Sequence, residues 1–418
     1  MVKPVKLLIV GAGDRGTTYA AFASEFPDRA RIVGVAEPKE VYRQKLVSAH
    51  QIPAENVFTD WRALVEKDKF ADAVIIATPD ALHLEPAVAF ANQSYHILLE
   101  KPMAPDEKSC RKIVKAALAN DIIFSVCHVL RYTPYTQKLK SLIKSGAIGE
   151  IVSLQHLEPV GYWHHAHSFV RGNWRNEAES SFMLLAKSCH DIDWIRYIID
   201  EKCRAVSSFG SLKHFKRTEK PVNAGNRCLE CDYEPNCPYS AKKIYLGFLK
   251  RGIKGWPVSV VTPDVSQKTI LDALKEGPYG RCVYDCDNDV VDHQVVNMEF
   301  EGRKTATFTM TAFTKASHRK TRIFGTRGEI YGNGSEIQLY DFLTDETEVM
   351  EVRSLEISSL SQHSGGDFGV INSFICAVAQ NDPQQILSGP EETLESHLIV
   401  FAAEKSRLEG RTVTFNSI

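Results

Sequence analysis

Five groups of residues in this 418-residue chain have types and spacings that suit chemistry. The first is Gly11-Ala12-Gly13-Asp14-Arg15-Gly16, a GxGxxG directly after the apolar run 6–10. Its glycines permit a tight turn and bring backbone N–H groups against a pyrophosphate, which rests on the N-terminus of the helix that follows. Glu37 ends a second apolar run about 20 residues on, where a carboxylate takes the ribose hydroxyls of a dinucleotide. A carboxylate there repels a 2′-phosphate, so NAD is expected ahead of NADP, with Lys39 and Arg43 keeping NADP as the second choice. Lys101 is the second group. It closes another apolar run and precedes Pro102, which keeps it out of helical geometry at the strand end where doubly wound sheets bind ligands. It reads as a reactive ammonium, against the alternative of a solvated loop lysine.

The third group is Lys187, three residues before His190, so that both can project from one side of a helix. A lysine within an apolar run costs desolvation unless it faces a polar cavity. Lys187 is therefore either a second cation at a reacting centre or a lysine whose stem snorkels at a surface. The fourth group is the segment 161–175, dense in His164, His165, His167, Arg171, Trp174 and Arg175. Aromatic faces beside hydrogen-bonding forks suit a sugar, and the three histidines suit a metal as second choice. His363 and Asp367, opening a helix, either reach the same pocket or form an ordinary helix start. Cys228-x2-Cys231-x5-Cys237 is the last group. With a fourth ligand from Cys282 or Cys286 it would make a tetrahedral structural zinc site, against free thiols in an insertion.

The elements that position these groups change character along the chain. Uninterrupted Val/Ile/Leu runs at 6–10, 31–36, 73–77, 96–99 and 122–126 suit strands buried on both faces of a parallel sheet. Helical stretches at 16–26, 85–92 and 106–119 intervene, which gives a Rossmann-like doubly wound domain over 1–130. Beyond it, 290–300 and 305–312 form an antiparallel hairpin, with Ala306, Phe308, Met310 and Ala312 on one face and four threonines on the other. Strand-like sequence runs on over 322–340. One helix is expected over 182–199, carrying the stripe Phe182, Leu185, Cys189, Ile192 and Ile199, and two more at 368–380 and 391–408. The fold class is thus α/β, with a second α+β domain over 131–418 built on a large, mainly antiparallel sheet. That domain would bind substrate, mediate oligomerisation and carry a Cys-containing insert near 213–286.

Composition narrows the function classes. Hydrophobic residues make up 44% and charged residues 24%, a globular balance. Fifty basic against 52 acidic residues give a net charge of -2, so no global field recruits nucleic acid or an anionic membrane. No run approaches the ~20 apolar residues of a membrane span. Ten cysteines scattered through a long chain suit a reducing compartment, and a cytoplasmic location is expected.

Ala77-Thr78-Pro79-Asp80 with His83, and Glu100-Lys101-Pro102, extend the glycine motif. Together with the order of the two domains, they make the chain resemble the Gfo/Idh/MocA family, NAD(P)-dependent oxidoreductases related to glucose–fructose oxidoreductase and inositol dehydrogenase. The resemblance implies a cofactor site of Gly11, Gly13, Asp14, Arg15, Gly16, Glu37, Thr78, Pro79, His83, Glu100 and Lys101, with Trp174 and Arg175 near the nicotinamide. It implies that Lys101 touches both the reacting hydroxyl and the nicotinamide end, and that His190, the histidine of an Asp-x-x-x-His pair, accepts the proton. Ala186 stands in the aspartate position, which removes the partner that would orient the imidazole. A buried structural role is the alternative for His190. Substrate contacts are expected from His128, His164, His167, Arg171, Asp193, His363 and Asp367. The implied reaction is hydride transfer at a secondary hydroxyl of a sugar, sugar derivative or cyclitol. Two alternatives accompany it: a redox-neutral glycoside hydrolase working through a transient 3-keto intermediate, and a non-catalytic NAD binder. Family likeness further implies a homodimer or homotetramer.

Overall fold

The computed structural model describes residues 3–353, 360 and 362–415. Its first sheet has six strands, β1 (Val5–Val10), β2 (Ala30–Ala36), β3 (Val57–Phe58), β4 (Ala73–Ile76), β5 (His96–Leu99) and β6 (Phe124–Val126). They are all parallel, in the order β3-β2-β1-β4-β5-β6. The unbroken apolar character of β1 follows from its having two buried faces. Leu7 and Ile9 pack with Tyr19 and Phe22 on one side, while Leu8 and Val10 pack with Phe90 and Ile113 on the other. The β3 pair Val57–Phe58 is too short to show as an apolar run, and the strand expected over 122–126 begins at Phe124. Helix Asp14–Glu25 starts inside the glycine motif, two residues before Gly16.

The second sheet has nine strands. They are β7 (Ile151–Pro159), β8 (Cys203–Ser211), β9 (His293–Phe300), β10 (Thr305–Thr311), β11 (Lys320–Gly325), β12 (Gly328–Gly332), β13 (Glu336–Asp341), β14 (Glu346–Glu351) and β15 (Val413–Thr414). Their order is β14-β13-β12-β11-β7-β10-β9-β8-β15. Only β7 and β10 pair in parallel; the remaining pairs are antiparallel, including the β9–β10 hairpin. Ala306, Phe308 and Met310 of β10 enter the core with Leu154, Ile192 and Trp194, while its threonines face outward.

The helix expected over 182–199 is corrected by the structure. It consists of Met183–Ala186 and Cys189–Ile199, interrupted at Lys187 and Ser188. The break lets the Lys187 ammonium leave the apolar stripe and reach Glu158 at 3.4 Å. Within the expected insert, helices Ala241–Lys250 and Gln267–Glu276 pack around their own small core of Ile244, Tyr245, Ile270, Leu274 and Tyr279. A capping box between Ser266 and Thr269 starts the second of these helices. The last long helices, Gly366–Gln380 and Pro390–Glu409, return to the first sheet. Val370, Ile371 and Phe374 join the core of Leu7 and Ile9, and Leu394 and Phe401 pack against that of Leu8 and Val10. Among the described residues no helix is long and apolar enough to cross a membrane.

Candidate active site

Sterics make the glycine loop a cradle. Gly11 takes a positive φ of 91°, and a Cβ there would stand 2.6 Å from the Ala77 carbonyl oxygen. A Cβ on Gly16 would lie 1.9 Å from the Gly11 oxygen, so turn and helix pack backbone to backbone. A Cβ on Gly13 meets nothing within 4 Å, so this edge of the loop is open beside the helix N-terminus. Glu37, at the end of β2, is buried and braces the loop: it accepts from Ala12 N–H at 2.8 Å and from Lys39 N–H at 2.8 Å. Arg43 is tied to the same strand end through the carbonyls of Glu37 (2.6 Å) and Pro38 (3.0 Å). A dinucleotide phosphate group fits this geometry. His83 takes a different part. Fully buried, it sets its ring nitrogens 2.9 Å from the Pro102 oxygen and 2.9 Å from the Thr78 oxygen, fastening the loops after β4 and β5 together.

Lys101 follows β5 and is joined to Pro102 by a cis peptide. Its Nζ donates to the Ala186 carbonyl at 3.0 Å, joining the two sheets' elements at one point. The preceding Glu100 accepts from Arg15 Nε at 2.7 Å, from Tyr19 at 2.8 Å and from Lys101 N–H at 2.8 Å. Burial pushes the Glu100 pKa up, but Arg15 and Lys101 outweigh it and the carboxyl lies below its ordinary value. Arg15 goes on to Asp367 at 2.6 Å, and Asp367 is also met by His363 Nδ1 at 3.1 Å. Burial opposes the ionised Asp367, yet His363 and Arg15 hold its pKa well below the carboxylate range. His363 and Ser364 both sit at positive φ, 49° and 55°, a strained pair that turns the chain toward this network.

His190 stands beside Lys101 with 7% of its surface exposed. Its ring lies 5.7 Å from that of His128 and 6.3 Å from that of His363, and its Nδ1 has no partner among the described residues. Burial, then the Lys101 charge, lowers its pKa well below the ordinary value, so the imidazole is neutral. Lys187 lies in the same field. Burial lowers its pKa and Glu158 only partly opposes the shift. Glu158 also binds Arg319 Nε at 3.0 Å, which reaches Asp191 at 2.6 Å, itself 3.1 Å from His156 Nε2. His164 is joined electrostatically to this group: burial, then Lys187, puts its pKa well below the ordinary value.

Sequence reasoning missed Glu158, Arg319 and Asp191. They come from β7, the segment before β11 and helix Cys189–Ile199, and no local spacing links them. It also missed His397, which accepts from Met103 N–H at 2.9 Å and thereby steadies the turn after Lys101.

Three expected substrate ligands are engaged by the protein's own groups. Arg171 is buried and bonds to the carbonyls of Arg281 and Tyr239, each at 2.8 Å, and to the Cys228 sulfur at 3.4 Å. It points into the insert because its guanidinium completes backbone carbonyls there. His167 is held by Tyr245 at 2.8 Å and stacks on Tyr279 at 4.8 Å, within the core of the insert. Asp193 is consumed by a two-pronged pair with Arg131 (2.7 Å and 2.7 Å) and by Ser396 at 2.7 Å. His128 lies over that pair, 3.6 Å from Asp193, with both ring nitrogens unpartnered among the described residues. Trp174 is 41% exposed, and Arg175 pairs with Asp287 and Glu179, each at 3.0 Å.

The structure does not support the expected zinc site. Cys228, Cys231, Cys237 and Cys282 line one cavity of about 20 Å³, and all ten cysteines are free. Among the described residues, no three His, Cys, Asp or Glu side chains already stand as a ligand set for a metal.

Comparison with known proteins agrees with this architecture. Residues 5–128 match the family model of an oxidoreductase family with an NAD-binding Rossmann fold, and residues 140–415 match that family's C-terminal alpha/beta domain. The chain is 31% identical over 202 residues to a 2,7-anhydro-N-acetylneuraminate hydratase of Escherichia coli, covering 48% of this chain and 51% of that protein. It is 30% identical over 178 residues to a levoglucosan dehydrogenase of Pseudarthrobacter phenanthrenivorans, covering 43% and 44% respectively. The chain thus spans about half the length of these two curated relatives. A solved levoglucosan dehydrogenase, in complex with NADH and L-sorbose, has the same fold with a TM-score of 0.72 at 20% identity, covering 100% of each chain.

Proposed function

The chain belongs to the Gfo/Idh/MocA family of oxidoreductases, and from that membership we propose that it moves hydride between NAD and a secondary hydroxyl of a sugar, sugar derivative or cyclitol. The observation that carries the reading is the Lys101 ammonium, held by the Ala186 carbonyl at the end of β5 beside a neutral His190. When bound, NAD supplies the hydride acceptor or donor. Gly11, Gly13, Gly16 and Glu37 form its diphosphate and ribose seat, with Thr78 and Lys101 lining its nicotinamide end. Lys101 hydrogen-bonds the reacting oxygen and stabilises the negative charge that develops on it. A ring nitrogen of His190 takes the hydroxyl proton. With Ala186 in place of an acid, the imidazole is oriented by packing against His128 and His363. Lys187 adds a second cation, held in place by Glu158.

The same reading divides the chain into a nucleotide domain at 1–130 and a substrate and assembly domain at 131–418. Exposed Val152, Phe209 and Val349 on the nine-stranded sheet support a homodimer or homotetramer built on that sheet. Ten free thiols support a reducing, cytoplasmic setting. A second reading, a redox-neutral cycle, is favoured by one observation: a relative is named a hydratase, and hydration has no net oxidation.

The test mixes the purified protein with NAD and a panel of sugars, cyclitols and glycosides. Sustained NADH absorbance supports the dehydrogenase. Aglycone release or hydration without net NADH supports the redox-neutral cycle. Lys101→Ala should lower turnover by about 10²–10⁴-fold while leaving NAD affinity within a few-fold. Normal turnover in that variant would remove Lys101 from the reacting centre.

A further inference from the structure

The break between helices Met183–Ala186 and Cys189–Ile199 brings two cations together whose hydrogen-bonding capacity is only partly used. Ala186 gives its carbonyl to Lys101, and the next residue, Lys187, reaches Glu158 at 3.4 Å, long for an ammonium–carboxylate contact. Arg319, in the segment before β11, meets the same Glu158 at 3.0 Å through Nε. It also donates to Asp191 through Nε at 2.6 Å and Nη2 at 3.2 Å, which leaves Nη1 for a further partner. The carboxylates have no such reserve. Glu158 turns one oxygen to each cation, and both Asp191 oxygens are taken by Arg319, one of them also by His156 at 3.1 Å.

The four side chains form an inner and an outer pair. Glu158 keeps 5% and Asp191 0% of its side-chain surface open, against 21% for Lys187 and 23% for Arg319. Acceptors are therefore turned into the protein, and donors are turned to the open space beside Lys101. That space is poorly solvated: burial lowers the Lys187 pKa even though Glu158 opposes it. One carboxylate shared between two cations leaves Lys187 incompletely neutralised. A hydroxyl relieves that penalty little, and an anion relieves it directly.

We propose that Lys187 and Arg319 hold a carboxylate of the substrate, which is therefore a sugar acid: a monosaccharide or monosaccharide derivative bearing one carboxylate. This rests on the hydride-transfer reading above and adds the substrate's charge to it. Two open donor groups, Lys187 Nζ and Arg319 Nη1, match the two oxygens of one carboxylate. A phosphate monoester brings three oxygens and nearly two charges, more than this pair answers. Lys187 directly follows the residue whose carbonyl holds Lys101, and adjacent Cα atoms lie about 3.8 Å apart, so one small molecule can meet both. Glu158 and Asp191 act as positioning residues that orient the two cations and keep them charged.

The test compares matched probes with the full chain and saturating NAD: D-glucuronate, D-galacturonate and D-gluconate against D-glucose, D-galactose and D-glucitol, with D-glucose 6-phosphate as the phosphate arm. At least one acid should exceed its neutral partner by about 100-fold in kcat/KM, from two charge-assisted hydrogen bonds. Lys187→Gln should shrink that ratio by about tenfold or more, and Lys187→Arg, which keeps the charge, should restore most of it. A purely structural Lys187 would lower acid and neutral sugar alike and leave the ratio unmoved, which overturns the assignment. Neutral sugars oxidised as well as the acids, or glucose 6-phosphate favoured over every acid, overturn it too while the hydride-transfer reading stands. If no probe is oxidised, calorimetric titration of the protein–NAD complex decides. An acid bound about tenfold or more tighter than its neutral partner, with that preference lost in Lys187→Gln, upholds the carboxylate site and counts against hydride transfer alone. Equal binding, or none, overturns the site.

Discussion

Acid should unfold this protein through its buried histidines, and His165 offers a clean way to measure it. The side chain is fully buried between Phe215 (5.2 Å, stacked) and Phe169 (5.5 Å), and neither ring nitrogen has a partner among the described residues. Burial lowers its pKa to about 4, with Asp292 opposing only weakly. The native state thus holds the neutral ring, whereas the unfolded chain binds a proton near pH 6.5. Between those two values the unfolded state carries more protons, so stability rises with pH there and is lost as pH falls through about 6.5 toward 4. From pH 8 to pH 5 the loss is about 2 kcal/mol for this residue. His128, lowered to about 3, and His167, lowered to about 4, behave alike, again with burial as the main cause. Together the three cost about 6 kcal/mol, a large part of a typical folding free energy. His165→Phe keeps the ring in the stack and removes the titration. Its urea midpoint should stay close to wild type at pH 8, and the difference in unfolding free energy between pH 8 and pH 5 should narrow by about 2 kcal/mol. A variant that loses as much stability as wild type over that interval would refute the reasoning.

Three further outcomes test other parts of the structure. Glu37→Ala strips the acceptor from two loop N–H groups and should weaken NAD by about tenfold or more while affecting NADP less, read by fluorescence titration; an unchanged preference would take Glu37 away from the ribose. Glu158→Gln removes the carboxylate that raises the Lys187 pKa, so any alkaline limb of the kcat/KM profile due to Lys187 should move to lower pH. A limb that stays where it is would show that Lys187 does not govern it. Arg131→Met leaves Asp193 buried without its partner and should cost about 3–5 kcal/mol in chemical denaturation; a loss below about 1 kcal/mol would mean that the pair is easily replaced.

The parts of this structure that could be read from the sequence are those whose physics is local. The glycine turn, the unbroken apolar strands and the β9–β10 alternation each follow from neighbouring residues, because two buried faces or one buried face leave distinct patterns. Lys101 could be placed because a strand end and a following proline constrain it. What escaped depends on long-range meeting. Asp193 looks like any helix acid until Arg131, 62 residues away, pairs with it. Arg171 and His167 share a segment with His164, yet a π-helical turn over Ala166–Arg171 sends them into the insert. The break at Lys187 was equally hidden, since nothing in the apolar stripe of 182–199 tells that Glu158 and Arg319 wait on one side of it.

One feature of the core bears on how the protein is made. The first sheet is complete in its strands by Val126, but part of its covering comes from helices Gly366–Gln380 and Pro390–Glu409, at the far end of the chain. On the ribosome the nucleotide half is therefore synthesised early and left with a bare oily flank until the final helices emerge, an interval in which it is a natural client of chaperones. Expressed alone, residues 1–130 would keep that flank exposed and aggregate, whatever their affinity for a dinucleotide.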